Sequence, residues 1–236
     1  MMYKLFIKWV IMTIFVVSMA AGLHAQSAFF AEKAGMEMTY VNNDAKGKAT
    51  GYQVMTVRDV KGSGSNMTIE YSMELLDKNR KPPKNSPGAQ NFEVVVKDGV
   101  LILDLNQMIP AQLVKDMGTQ IKFTGLPMEL PNDLQPGQQI KDADVTMEVD
   151  MGIMKMSTVI KMTDGMCLDI EDAAVPAGTF KSHKISQTVS ATILRMNTVS
   201  KTLRWYTPGV GVVKTETYDS KGKLTASTVL VDLKGN

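Results

Sequence analysis

Sulfur is the first chemistry this chain displays. Its 236 residues hold 19 methionines against one cysteine and two histidines. Met36 and Met38, then Met154 and Met156, form M-x-M pairs, with Met147, Met151, Met162 and Met166 near the second pair in sequence. On a β-strand, residues i and i+2 share one face about 7 Å apart. Two thioethers at that spacing are soft donors of the kind Cu(I) accepts. They serve copper only if further donors converge from neighbouring strands. The apolar reading needs no such convergence, because methionine fills irregular space and adapts to varied partners. The pattern therefore favours a methionine-lined core or greasy pocket, with no metal and no cofactor.

The other reactive side chains stand alone. His183 sits in TFKSHKIS, beside Lys181, Ser182 and Lys184, and no G-x-S-x-G elbow precedes it. A general base needs a carboxylate partner and a nucleophile, so His183 reads as an ordinary strand histidine. Cys167 alternates with Asp169 and Glu171, opposite Met166, Leu168 and Ile170. Strict alternation puts it on the more polar face. Reactive thiols want nearby positive charge, so Cys167 reads as inert and partly buried, with an intermolecular disulfide as the competing role. Asp142/Asp144 and Asp169/Glu171 are i, i+2 carboxylate pairs. Glycosidase and calcium sites need convergence between elements, and such pairs are common on polar strand faces. No phosphate-binding or dinucleotide fingerprint occurs. The chain is expected not to be an enzyme, and no catalytic residue is assigned.

Charge and patterning place these residues. The chain has 26 Lys+Arg and 24 Asp+Glu. Residues 1–25 follow the export pattern: Lys4 and Lys8, the apolar run Val10–Val17, then small residues to Ala25. Cleavage is expected after Ala25, or after Ala20 or Ala21. The apolar run is shorter than the ~20 residues of a membrane span. No cysteine lies near the cleavage region, so a lipid-anchored cysteine is not expected. Removing 1–25 takes Lys4, Lys8 and His24, leaving 24 basic against 24 acidic side chains with one His and one Cys. That balance argues against nucleic acid, a His-based zinc site and an internal disulfide. The expectation is a periplasmic or secreted single β-rich domain over 26–236, with no transmembrane segment after signal cleavage. An outer-membrane barrel is disfavoured, because such barrels need two aromatic girdles.

Period two dominates the exported part. Met67, Ile69, Tyr71, Met73 and Leu75 alternate with Thr68, Glu70, Ser72 and Glu74. Val145, Met147, Val149 and Met151 alternate with Thr146, Glu148 and Asp150, and Met154, Met156, Ile160 and Met162 continue the stripe. Val199, Leu203 and Trp205 alternate with Ser200, Thr202 and Arg204. Turn signals fall at 42–47, 61–65, 97–99, 163–165, 208–209 and 219–223. Strands are expected near 35–41, 50–60, 66–76, 91–96, 100–105, 145–151, 153–162, 166–171, 179–192, 198–206, 210–218 and 224–233. One short helix is expected near 107–116. Short connections mean antiparallel pairing, and so long a sheet must curl or close. The predicted fold is all-β with minor α: a curved antiparallel sheet or half-open β-barrel of about 10–12 strands, resembling the LolA/LolB-like architecture. Two stretches read as loops. Asp77–Gln90 holds three prolines and four basic residues, and Leu126–Lys141 crosses an end of the sheet.

Three segments of the C-terminal half belong together: PNDLQPGQQIKDADV (131–145), VPAGTF (175–180) and WYTPGVGVVKTETYDSKGKL (205–224). Together they resemble a TapB-like family of exported bacterial (Bacteroidetes-type) proteins of unknown function. That resemblance implies export and a β-rich fold, and no activity. Its motif residues Pro176, Gly178, Phe180, Trp205, Tyr206, Pro208, Gly209 and Gly211 also have structural readings. Pro176-Ala177-Gly178 opens a strand anchored by Phe180, and Pro208-Gly209 centres a hairpin between Trp205-Tyr206 and Val210–Val213. The functional expectation is a non-enzymatic binding or carrier module for an apolar or lipid-like small molecule. Its lining would come from Met67, Tyr71, Met73, Met147, Met151, Met154, Met156, Met162 and Trp205. The alternative is a structural or interaction protein of the envelope, with a fully packed core and an envelope protein as partner.

Overall fold

The computed structural model describes residues 27–84, 86, 88–103, 120–150, 155–193 and 196–235. Fourteen strands cover most of them: β1 (Glu37–Asp44), β2 (Ala49–Ser63), β3 (Asn66–Asp77), β4 (Gln90–Lys97), β5 (Val100–Leu103), β6 (Gln120–Leu126), β7 (Met128–Pro131), β8 (Gln139–Ile140), β9 (Ala143–Asp150), β10 (Lys155–Val175), β11 (Gly178–Ile193), β12 (Met196–Thr207), β13 (Gly211–Asp219) and β14 (Leu224–Lys234). All pairings are antiparallel, in one sheet of order β6-β9-β10-β11-β12-β13-β14-β1-β2-β3-β4-β5-β7, with β8 beside β10.

The two ends of this sheet are consecutive in the chain. Strand β6 pairs with β9, β7 pairs with β5, and only Pro127 separates them. Proline lacks the N–H that a ladder needs, so the chain changes partner there. Gly125 prepares the change. Its φ is +130°, and a Cβ would sit 2.0 Å from the Asp144 carbonyl oxygen. One descending strand thus serves both edges, and the sheet becomes a nearly closed barrel. Closure removes long free edges.

Turns at 64–65, 98–99, 176–177 and 208–210 mark one end of the barrel, called lower here. Turns at 45–48 and 220–223 and the connection from β3 to β4 mark the upper end. Side chains opposite one another on neighbouring strands share a face. The pairs Val57–Tyr71, Ile69–Val94, Leu101–Leu130 and Ile185–Cys167 therefore lie on one face, and all eight residues are buried. This is the inner face.

Three expectations change. The stretch Leu126–Lys141 is not a plain loop: it contains β7 and β8. Four- and two-residue strands are too short to show a period. The expected turn at 163–165 is instead an irregularity inside β10, so the strands expected at 153–162 and 166–171 are one of 21 residues. Close packing of Gly165 on Ile140 holds it there, since a Cβ would stand 2.9 Å from that of Ile140. The described residues form 14 strands, above the expected range. No helix occurs among the described residues, and the segment 107–116 lies outside them.

Candidate functional site: the open upper end

Among the described residues, the inner face is buried below and more exposed above. Along β3, Met67, Ile69 and Tyr71 are buried, Met73 is half-buried and Leu75 is 53% exposed. Along β11, His183, Ile185 and Gln187 are buried, whereas Val189 and Ala191 are half-buried. On β10 the half-buried Ile160 and Met162 stand above Cys167, which is fully buried. Among the described residues the lower half therefore packs as a core and the upper half is less buried.

The lower end is plugged by the segment before β1. Ala28, Phe29 and Ala31 are buried, and the Gly209 N–H donates to the Ala28 carbonyl at 2.8 Å. The Phe29 ring meets His183 edge-on at 4.8 Å and Tyr206 at 5.8 Å. Glu32 closes this segment by accepting from the Ala28 N–H, and burial raises its pKa above the usual carboxylate range. Met36 and Met38 lie in the core, with the Tyr40 hydroxyl 3.7 Å from the Met38 sulfur. These sulfurs meet apolar and aromatic groups. Among the described residues, no three His, Cys, Asp or Glu side chains cluster as metal ligands would.

The inner face also carries polar groups. Gln187 donates to the Met128 sulfur at 3.9 Å, which joins β11 to β7 across the interior. Its carbonyl oxygen accepts from Arg204 Nη1 at 2.9 Å. Arg204 pairs with Ile185 on one side and Thr215 on the other, which puts it on the inner face. Further round, the side-chain oxygen of Asn42 accepts from Gln53 at 3.1 Å and from Thr228 at 2.8 Å. Among the described inner-face residues of β11 to β14, Arg204 is the one charged side chain in mid-strand.

Three turns frame the opening. At 44–48, 77–81 and 219–223 the first residue is Asp, and its carboxylate accepts from the N–H groups two and four residues on, at 2.8–2.9 Å. Those donors hold the Asp44 and Asp77 carboxyls below the usual range. The fourth residue has positive φ in each turn: Gly47, Arg80 and Gly222. The fifth is lysine each time: Lys48, Lys81 and Lys223. Each carboxylate is thus bound to backbone, while the lysines face solvent.

The sequence-derived lining set divides. Met67 and Tyr71 are buried in the lower core, and burial pushes the Tyr71 phenol up to about 12. Met73, Met147 and Met162 are half-buried on the inner face. Met156 pairs with Val149 on β10 and β9, and Met151 and Met154 lie outside the described residues. Trp205 stands apart, because alternation turns it to the face opposite Arg204 and Tyr206. There its indole N–H donates to Glu171 at 2.7 Å, with Lys184 and Lys214 over the ring. That bond and the two ammonium groups hold the Glu171 carboxyl below its ordinary range.

The motif residues lie at turns and packing points. Pro176 makes the β10–β11 turn with Ala177, Gly178 has φ +141°, and Phe180 packs half-buried against the core. Ala177 reaches across to the Leu230 carbonyl at 3.4 Å. Pro208 and Gly209 form the β12–β13 turn, with Tyr206 opposite Val212 and Gly211 lying close to the backbone of Phe29 and Phe30.

Cys167 departs from strict alternation. A register shift at Leu168 turns Cys167 inward, leaves Leu168 43% exposed, and raises the thiol pKa through burial. His183 is 5% exposed, and burial lowers its pKa, an effect that the backbone of Tyr206 and Leu134 partly offsets. Arg204 and Gln187 escaped the sequence reading. Arg204 had been counted among the polar residues opposite Trp205, and the available signal was its place in that alternation.

Two solved structures share the fold. One, from Bacteroides fragilis NCTC 9343, is described as an exported protein with a YmcC-like fold. It is 20% identical, with a TM-score of 0.68, covering 88% of this chain and 99% of that one. The other, from Parabacteroides distasonis ATCC 8503, is described as a lipoprotein. It is 21% identical, with a TM-score of 0.71, covering 89% of this chain and 99% of that one. No curated protein matches the sequence. Residues 33–230 match DUF3108-like, and the chain belongs to that family.

Proposed function

We propose that this protein is a non-enzymatic binding or carrier module of the bacterial envelope, holding an apolar or lipid-like ligand in the upper half of its barrel. One observation carries the reading. The same inner-face stripes that are buried below become half-exposed above, at Met73, Met147, Ile160, Met162 and Val189. Apolar side chains held in a concave, partly open space are what an apolar ligand would cover. Methionine suits that task because it repacks around varied shapes. The export pattern of residues 1–25 and the exported or lipoprotein descriptions of the two fold relatives support an envelope location.

Native mass spectrometry of the chain recovered from a bacterial periplasm tests this. The expected result is a reproducible added mass of several hundred daltons, lost on organic extraction. An unchanged mass after gentle purification, with no uptake of added fatty acid or lysophospholipid, would overturn it. The alternative of an interaction protein with a packed core draws on the lower half, where Ala28, Phe29, Ala31 and Met36 are buried.

A further inference from the structure

The segment before β1 is built as a separable part. It crosses the lower end of the barrel: Phe29 lies against His183 of β11 and Tyr206 of β12, and Phe30 meets Tyr71 of β3 at 5.1 Å. Little besides this burial holds it. Among the described residues, one hydrogen bond ties 27–32 to the barrel, from the Gly209 N–H to the Ala28 carbonyl. The bond from the Ala28 N–H to Glu32 is internal. Lys33, Ala34 and Gly35 are exposed, and Gly35 has φ +86° with nothing within 4 Å of its Cβ position. Gly35 and Met36 are then fixed to β2 through Val57. Residues 33–35 therefore form a joint, and a part so lightly tied opens locally before the whole fold does.

His183 is the titratable group in its seat. β10 places Ile170 opposite it, with Cys167 and Asp172 in the rows on either side. β12 places Tyr206 opposite it, with Arg204 in the next row. Lys181 is on its own strand, opposite Asp172. The connection before β8 brings the backbone of Leu134, beside the exposed Asp133, and the segment brings Phe29, followed by Glu32 and Lys33. Among the described residues no carboxylate pairs with the imidazole. A buried charge without a partner is costly, and local opening to water relieves it. Strands β10, β11 and β12 are joined by long ladders, and the 132–138 connection is bonded to Gly99 and to Cys167. The segment is the wall that can leave.

We infer that residues 27–34 are a hinged stopper, seated across the lower end at neutral pH and released in acid by protonation of His183. Burial lowers the His183 pKa, and the backbone of Tyr206 and Leu134 offsets only part of the effect. The seated state therefore takes up that proton less readily than the released state, and it loses stability as the pH falls below about 6.5. Glu32 acts in the opposite sense. Burial raises its pKa, so proton uptake there favours the seated segment.

Hydrogen exchange, read as protection factors so that the intrinsic pH dependence drops out, tests this at two amides. Gly209 reports the bond to the segment, and Ile69 reports the barrel. Between pH 6.5 and 5 the protection of Gly209 should fall about tenfold while that of Ile69 stays level. The exported chain (26–236) has one histidine, so an imidazole NMR titration reads His183 without any variant, and its midpoint should lie below about 6.5. His183→Phe should keep Gly209 protected across the range. Glu32→Gln keeps an oxygen acceptor but cannot titrate, and should leave the fall at least as large. A parallel fall at Ile69 would mean that acid loosens the whole barrel, and would overturn the stopper. Steady protection at Gly209, or an imidazole midpoint at or above about 6.5, would overturn release by acid. A fall that persists in His183→Phe, or vanishes in Glu32→Gln, would overturn the role of His183.

Discussion

The two ends of this barrel are built from the same strands and do opposite things. Below, Ile69, Leu101, Leu130, Ile185 and Leu230 are at most 1% exposed, and the chain inserts Phe29 to finish the packing. Above, the same strands carry Met73, Leu75, Val189 and Ala191, half-buried or open, with the Asn42–Gln53–Thr228 cluster among them. The difference separates stability from binding. A packed lower half can hold the sheet curved, so the upper half can keep apolar surface open without collapsing.

The largest expected effect tests that division directly. Phe29→Ala removes an aromatic ring from the lower core and should cost about 3–5 kcal/mol in urea unfolding. Leu75→Ala, at the open end, should cost less than about 1 kcal/mol, because half of that side chain is already in water. Equal costs at the two positions would break the comparison.

A second expectation concerns pH. Burial holds the His183 pKa below its ordinary value of about 6.5. The unfolded chain therefore takes up a proton there at higher pH than the folded chain does. Stability from this site is complete above about pH 6.5 and falls as the pH drops below it, by at most about 1.4 kcal/mol per unit. His183→Phe should flatten the unfolding curve between about pH 5 and 7. The loss should appear in the lower half, as faster amide exchange around Ala28 and Tyr206, while exchange at Leu75 stays as it was. A slope identical in the variant would show that other groups carry the acid sensitivity.

Much of this was readable from residue order, because strand alternation is a local property. The stripes at 66–76 and 145–151 correspond to β3 and β9, and the turn signals at 208–209 and 219–223 fall at turns. What failed depended on partners distant in sequence. Nothing around Leu168 marks the register shift that turns Cys167 inward, since it arises where β10 meets β11. The strands β7 and β8 are defined by β5 and β10, not by their own few residues. The candidate site was legible in part for the same reason. Alternation finds the apolar stripes, but it cannot say where along a stripe burial ends.

The smallest expected effect lies in the rim, where one turn differs from its two counterparts. Gly47 and Gly222 occupy the left-handed position, whereas the 77–81 turn places Arg80 there at φ 61°. A side chain in that region costs about 1–2 kcal/mol. Arg80 has an offsetting contact, its guanidinium lying 4.4 Å from the centre of the Tyr52 ring, and an exposed contact of that kind contributes about 0.5–1 kcal/mol. Arg80→Gly removes the strain and the contact together, and it also adds freedom to the unfolded chain, worth about 0.4–1 kcal/mol. The three terms nearly cancel, so the midpoint of unfolding should move by less than the equivalent of about 0.5 kcal/mol. Gly222→Arg introduces that left-handed strain at a position now held by glycine, and should cost about 1 kcal/mol. If Arg80→Gly instead destabilises by as much as Gly222→Arg, the Tyr52 contact is stronger than an exposed stacking pair. The upper end would then carry more of the fold's stability than its open inner face implies.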